Sequence, residues 1–348
     1  MRPYSALRRV IGPIVGPVYA WEVARRDRAF DAGKGVRRAP APVISVGNLT
    51  TGGTGKTPMV EWLVRALLAR GLVPAIALRG YRAHDGRSDE AEQYRRLLPG
   101  TPVLVGADRW ASITDARARG VGFDCVVLDD GFQHRRLARD VDIVLVDAAA
   151  RTPQDRLLPA GDLREPVASL ARAQAVVITH ADAVEQAQLE ELCAWARGLL
   201  GEPRVVVQAS HVWTGLRVHE AGQDREAPVT SLSGTRVVVV CGLGRPEHFI
   251  RQAQGVGVHV VHQLLLGDHA MPTAAQLDGV RRAAKAHGAR LLTTGKDWAR
   301  MRACPAQWQD LPVVRPMLGL RLAGEVALIH LIVGKLPPSA AAMREDAR

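Results

Sequence analysis

Ser45–Pro58 reads SVGNLTTGGTGKTP, and the fold of the chain turns on how this stretch is taken. It follows the apolar pair Val43-Ile44 and leads into Pro58–Arg70, PMVEWLVRALLAR, whose apolar positions recur at helical spacing, with Pro58 tolerated in the first turn and Gly71 as a stop. A nucleotide phosphate loop has glycine, four residues and then Gly-Lys-Ser/Thr, placed between a strand and a helix. Gly55-Lys56-Thr57 fits that pattern, whereas its first glycine falls on Thr50. Gly52 and Gly53 can reach positive φ and turn successive N–H groups inward as an anion nest. Thr50, Thr51, Gly52, Gly53, Thr54, Gly55, Lys56 and Thr57 are therefore the expected phosphate cradle, at the start of a helix. Lys56 is expected on the β and γ oxygens of ATP and the Thr57 hydroxyl on Mg²⁺. The alternative is a Gly/Thr turn without a ligand, and the flanking strand and helix speak against it.

Phe123–Leu137, FDCVVLDDGFQHRRL, supplies the second half of such a site. An apolar strand that ends in Asp129-Asp130 puts carboxylates beside a phosphate loop, where they can hold Mg²⁺ or its water. Adjacent side chains on extended backbone point in different directions, so one carboxylate can face the metal while the other orients the loop. An Asp-Gly turn after a buried strand is the plain alternative. His134 and Arg135 are candidate phosphate contacts, against a solvated basic turn.

From Val43 onward apolar runs alternate with helical patterns, which predicts an α/β fold with a mainly parallel sheet. The expected strands are 43–46, 73–78, 103–105, 123–128, 141–146, 175–179 and 205–208, several of them apolar throughout, as strands buried on both faces should be. At 348 residues two domains are expected. The division is a phosphate-loop core at 41–210, a polar connector at 211–235, a smaller second α/β domain at 236–336 and a disordered tail at 337–348. Within the second domain, strands are expected at 237–241, 258–261 and 290–293. Cys241–Phe249, CGLGRPEHF, has Glu247 where a dinucleotide fingerprint needs its third glycine, and is read as a strand-to-helix turn.

The net charge of +11 points to an anionic partner. Only 4% of the residues are aromatic and none interleave with basic ones as a base-stacking platform does, which argues against nucleic acid. The four cysteines form no CxxC pair, so neither a zinc site nor a redox motif is indicated, and a reducing cytoplasm fits best. Residues 1–40 are expected to form a membrane-associating segment. The apolar stretch Val10–Trp21 lies between arginine clusters, is shorter than the ~20 residues of a spanning helix, and is interrupted by Pro13 and Pro17. Tyr19 and Trp21 beside arginines suit a segment lying among lipid headgroups, and a helix packed on its own domain is the equal alternative.

GNLTTGGTGKTP, RGY (Arg79–Tyr81), DDGFQHRRLARDVDIVLVD, LPAGDLRE (Leu158–Glu165), GLGRPEHF, GDH (Gly267–His269) and TGKD (Thr294–Asp297) occur in order along nearly the whole chain, and together they resemble the tetraacyldisaccharide 4'-kinases of lipid A biosynthesis. The resemblance implies a P-loop NTPase core with a second α/β domain and transfer of the ATP γ-phosphate to the 4'-hydroxyl of a tetraacylated disaccharide 1-phosphate. It implies work at the cytoplasmic face of the bacterial inner membrane on an anionic glycolipid, with no obligate protein partner. It also implies that Asp89, in the segment RSDE, is the base on the sugar hydroxyl, where a helix cap is the ordinary reading. His269 is implied as its partner, and Lys296 as a phosphate contact. Three positions depart from the family pattern: Arg82 and Ser88 stand for glycines and Gly295 for a glutamate. The rival from another class is a P-loop regulatory or metal-delivery NTPase acting on a protein partner, for which the sequence has no His/Cys-rich ligand segment.

Overall fold

The structure is a computed structural model that describes residues 5–51, 53–80, 88–150, 152–200, 205–243, 246–267, 272–301 and 311–336, with backbone alone at 5–11, 13, 14 and 89. The chain forms two compact units: Met1–Ser210 together with Leu320–Arg348, and His211–Gly319.

The first unit opens with helix α1 (Ser5–Asp31), followed by β1 (Val43–Asn48), α2 (Lys56–Leu68), β2 (Pro74–Leu78), α3 (Asp89–Leu97), β3 (Val103–Val105), α4 (Arg109–Ala118), β4 (Cys125–Asp129), β5 (Val141–Asp147), β6 (Ala175–Thr179), α5 (Gln186–Leu200) and the start of β7 (Val205–Glu220). The strands run in the order β7-β6-β5-β1-β4-β2-β3, and every pairing among them is parallel. β1, β2, β4 and β6 are buried at every position, which explains why apolar residues dominate them. α2 turns Met59, Val60, Leu63, Val64 and Leu67 into the core, each worth roughly 1.5–3 kcal/mol of burial. The chain passes from β1 out to β2 and returns with β4 between them, while β5 lies on the other side of β1. That reversal opens a crevice at the carboxyl ends of β1 and β4, where doubly wound sheets bind ligands.

The second unit holds the distal half of β7, β8 (Gln223–Ala227), β9 (Arg236–Cys241), α6 (Pro246–Gly255), β10 (His259–Leu265), α7 (Ala274–His287), β11 (Arg290–Thr293), α8 (Gly295–Met301) and most of β12 (Val313–Ala323). Its parallel strands run β10-β9-β11-β12. The chain then returns to the first unit as the end of β12 and helix α9 (Glu325–Val333).

Two expectations about organisation need correction. The polar stretch 211–235 is not an irregular connector: it contains half of β7, paired antiparallel with β8. This hairpin buries Leu216 and Val218 and turns Arg217 and His219 outward, so its composition alternates. Its turn, Ala221-Gly222, has φ of 50° and 79°, the two positive values of a type I′ hairpin, achieved without the usual Asn-Gly signal. The second unit also does not extend to residue 336, because Leu320 onward rejoins the first. The strand that makes this return, β12, carries Pro316 and Gly319, which masked it in the sequence. The tail 337–348 lies outside the described residues.

Candidate active site

β1 delivers the chain to the phosphate loop. Gly47, in this strand, lets Phe132 pack against the backbone: a Cβ there would lie 2.5 Å from the Phe132 Cβ. Gly55, at φ 84°, caps α2 in the left-handed region without any side-chain hydrogen bond, so the first N–H groups of the helix are left for a ligand. The loop is braced from outside by the LPAGDLRE segment: the Thr51 N–H donates to the Asp162 carbonyl at 2.8 Å and its hydroxyl to Asp162 Oδ1 at 3.1 Å. Thr50 and Thr54 are buried, and Gly53 is exposed. Gly52 lies outside the described residues.

Lys56, the first residue of α2, reaches back across the loop. Its Nζ donates to Asn48 Oδ1 at 3.3 Å and lies 3.5 Å from Asp130 Oδ1. The same carboxylate takes two contacts from Arg164 Nη1, at 2.9 and 3.1 Å. Arg164 Nη1 also donates to Gln133 Oε1 at 3.3 Å, and Gln133 Nε2 donates to the Asn48 carbonyl at 2.9 Å. Asp130 sits at φ 51°, a conformation Asp tolerates better than most residues. Burial works against its charge, but Lys56 and Arg164 outweigh it and hold the carboxyl below its usual range.

Asp129 faces elsewhere. Its Oδ2 accepts from the Tyr94 hydroxyl at 2.9 Å, and its Oδ1 is buried with no hydrogen-bond partner among the described residues. Burial, and secondarily the charge of Asp130, raises its pKa to about 6, against the Tyr94 hydrogen bond and the Lys56 charge. The adjacent carboxylates occupy different surroundings because the strand ends at Asp129 and Asp130 turns off it in the left-handed conformation.

A cavity of about 880 Å³ adjoins this cluster and is lined by Asp130, Thr51 and Arg164 on one side and by α1 on the other. Arg25, Arg26, Arg79, Arg109 and Arg136 also line it, and with Arg135 and Arg164 they outnumber the carboxylates Glu22, Asp27, Asp130 and Glu165, which leaves it cationic. His134 borders it with Nδ1 3.4 Å from Arg109 Nη1, so the ring proton resides on Nε2. Burial first, then the charges of Arg109 and Arg139, lower its pKa to about 4, so the ring is neutral at pH 7. Arg135, expected on phosphate, also lines the cavity, and it binds Asp27 at 3.0 Å and Asp31 and lies over the Phe30 ring, which makes it a strut for α1.

Asp89 is the first residue of α3, and the cap is Ser88, whose hydroxyl accepts from the Ala91 N–H at 3.4 Å. His269 lies outside the described residues. Lys296 is exposed near the start of α8 in the second unit. Asp297 beside it accepts from the Gly242 N–H at 3.1 Å and from the Thr294 hydroxyl at 2.7 Å. Sequence reasoning assigned no role to Asn48, Tyr94, Gln133 or Arg164. Three of these lie inside motifs already singled out, and Tyr94 was signalled only as a large ring on an otherwise polar helix.

Comparison with known proteins covers the same stretch of chain. A tetraacyldisaccharide 4'-kinase from Anaeromyxobacter dehalogenans (strain 2CP-C) is 39% identical over 300 residues, covering 80% of this chain and 77% of the relative. One from Geobacter sulfurreducens is 34% identical over 339 residues, covering 91% of each. Among solved structures, LpxK from Aquifex aeolicus in complex with ATP superposes with a TM-score of 0.68 at 26% identity, covering 95% of this chain and 100% of the other. The family model described as tetraacyldisaccharide-1-P 4'-kinase matches residues 9–332, and the chain belongs to that family.

Proposed function

We propose that this chain transfers the γ-phosphate of ATP to the 4'-hydroxyl of a tetraacyldisaccharide 1-phosphate at a membrane surface, giving the 1,4'-bisphosphate. The observation that carries the residue assignments is the meeting of Lys56, Asp130, Arg164 and Asp129 at the ends of β1 and β4, beside an arginine-lined cavity. Family membership supports the reaction, and the solved relative's complex with ATP supports the nucleotide. Nothing in the comparisons favours a regulatory NTPase.

The residues fit Mg²⁺. Asp129 Oδ1 is a buried carboxylate oxygen without a partner, and Thr57, beside Lys56, offers a hydroxyl. Thr57 and Asp129 would hold the cation, with Asp130 behind them, and the bound cation neutralises charge on the β and γ oxygens. Lys56 exchanges Asn48 and Asp130 for phosphate oxygens, while Arg164 keeps Asp130 from following it. Asp89 takes the proton of the 4'-hydroxyl, and His269 sets the basicity of that carboxylate. Phosphoryl transfer asks little covalent chemistry of the protein, so these groups act by placement and charge.

The cationic cavity suits the 1-phosphate and the sugar of an acidic glycolipid. Along α1, Val15, Val18 and Trp21 are exposed on one side of the helix, with Arg25 and Arg28 continuing the same stripe. An apolar stripe ending in arginines is the pattern of a helix lying in the headgroup region. No helix among the described residues is long and apolar enough to cross a membrane. Lys296 remains a candidate phosphate contact from the second unit.

The test is transfer of labelled γ-phosphate from Mg-ATP to a tetraacyl disaccharide 1-phosphate in detergent micelles. Wild type should yield 4'-phosphorylated product and Lys56→Ala almost none. ATP hydrolysis that continues without lipid and gives no lipid product would sink the reading. Asp89→Ala should lower turnover far more than ATP affinity; unchanged turnover would remove Asp89 as the base.

A further inference from the structure

One buried group in the nucleotide cluster has no role in the chemistry above, the phenol of Tyr94. α3 is a short helix whose Glu90, Glu92, Arg95 and Arg96 face solvent, while Ala91 and Tyr94 turn inward and are each 1% exposed. The ring belongs to the core cluster that contains Ile44, Val46, Met59 and Val127. A phenylalanine would supply the same packing. A hydroxyl carried into such a place costs free energy unless it is paired.

It is paired, and its partner is a carboxylate assigned to the cation. The hydroxyl donates to Asp129 Oδ2 at 2.9 Å. Asp129 is itself 8% exposed, and with Oδ2 engaged its Oδ1 is left bare. One oxygen fixed by a buried donor and the other free is the arrangement of a carboxylate ligand oriented from behind. Without the hydroxyl, the carboxylate can rotate about its last bond and present either oxygen or both.

We propose that Tyr94 is a positioning residue for the cation site, holding the Asp129 carboxylate in the orientation that receives Mg²⁺. This rests on the reading that Asp129 and Thr57 are the cation's protein ligands.

The test uses Mn²⁺ as the probe, titrated by electron paramagnetic resonance against the full-length protein with a non-hydrolysable ATP analogue. Wild type, Tyr94→Phe and Asp129→Asn are compared. Nucleotide affinity in excess chelator and the melting temperature of the free protein are measured alongside. Tyr94→Phe should weaken Mn²⁺ about tenfold or more, the usual effect of removing a ligand's outer partner. The half-saturating Mg²⁺ for turnover should rise by a similar factor, with metal-free nucleotide affinity unchanged. A tyrosine that only packs would leave the Mn²⁺ constant and the Mg²⁺ requirement of Tyr94→Phe as in wild type, whatever the melting temperature does, and that result overturns the inference. Asp129→Asn reports separately on the underlying reading. If it binds Mn²⁺ as wild type does, Asp129 is not a ligand, and the role of Tyr94 falls with it. If it loses Mn²⁺ while Tyr94→Phe does not, only the tyrosine's role is wrong. Should Tyr94→Phe fail to fold, 3-fluorotyrosine at position 94 gives the answer in the intact fold. Its ¹⁹F resonance should move when Mg²⁺ is added to the nucleotide-bound protein, and a resonance indifferent to Mg²⁺ overturns the proposal.

Discussion

Asp130 is held by Arg164 at 2.9 Å and by Lys56 at 3.5 Å, so the lysine is the looser of its two cations and the one available to a nucleotide. Arg164→Ala should therefore strengthen the grip of Asp130 on Lys56 and weaken ATP. Losing a charged partner of this kind is worth about 1.5–3 kcal/mol, so a rise in the ATP KM of about tenfold or more is expected. An unchanged KM would mean that Lys56 does not depend on Arg164. His134 offers a second measurement. Its pKa falls from 6.5 in the unfolded chain to about 4 in the fold, so between these values the unfolded state binds more protons. Stability attributable to His134 is thus full above about pH 6.5 and is lost as pH falls toward 4. Asp129, raised to about 6, acts in the opposite sense: the fold holds its proton longer, and stability falls as pH rises from about 4 to 6. The two slopes offset one another over much of the same window. Replacing His134 by Gln should expose the Asp129 slope. The variant should gain about 2 kcal/mol relative to wild type between pH 7 and pH 4 in chemical denaturation, after a discount for solvent screening of the half-buried ring. Parallel pH profiles for the two proteins would contradict the buried, neutral histidine.

α1 shows how little of an element's attachment is visible in its own sequence. Pro13 and Pro17 are expected to interrupt it, yet the helix runs unbroken from Ser5 to Asp31. Each proline removes one N–H and bends the axis, which a helix survives when contacts elsewhere along it hold the turns. Those contacts are the close approach of Gly12 to Ala160, the Tyr19 hydroxyl on the Arg164 carbonyl at 2.8 Å, and the grip of Arg135 on Asp27 and Asp31. Arg135→Ala should loosen the end of α1 and speed tryptic cleavage in the arginine-rich stretch 25–38, with little change in ATP affinity. Cleavage at the wild-type rate would show that the strut is dispensable. The parallel strands were legible because strands buried on both faces must be apolar, and the phosphate loop because its glycines serve a backbone shape. The β7-β8 hairpin and β12 were not, since one is half polar and the other carries proline and glycine. Arg164 and Tyr94 escaped for a different reason: each acts on Asp129 or Asp130 from a distant part of the chain, and no local pattern records such a meeting. Likewise the attachment of Arg135 to Asp27 and Asp31, more than 100 residues away, leaves no local pattern.

The net charge of +11, the arginine-lined cavity and the exposed stripe on α1 all favour an anionic, partly apolar surface. Sedimentation with vesicles containing anionic lipid should therefore weaken steeply as salt is raised, because surface charges beyond about 10 Å are screened near 0.1 M. Val18→Glu with Trp21→Glu should lessen what salt leaves behind. Retention by neutral vesicles, indifferent to both salt and those substitutions, would dismiss α1 as the contact. The path of the chain between its two units carries a further consequence. It leaves the first within β7 and re-enters within β12, and Leu328 and Ile332 of α9 are buried in the same core cluster as Ile44 of β1 and Val141 of β5. A chain stopped after Gly319 lacks these aliphatic side chains, each worth roughly 1.5–3 kcal/mol, and should be less stable than the full chain. On the ribosome, domains ordinarily mature from the amino terminus onward. Here the order is inverted: every residue of the second unit has been synthesised before the first receives its closing helix. The nucleotide-binding half, begun first, is finished last, and until α9 arrives it must wait with an open seam in its core.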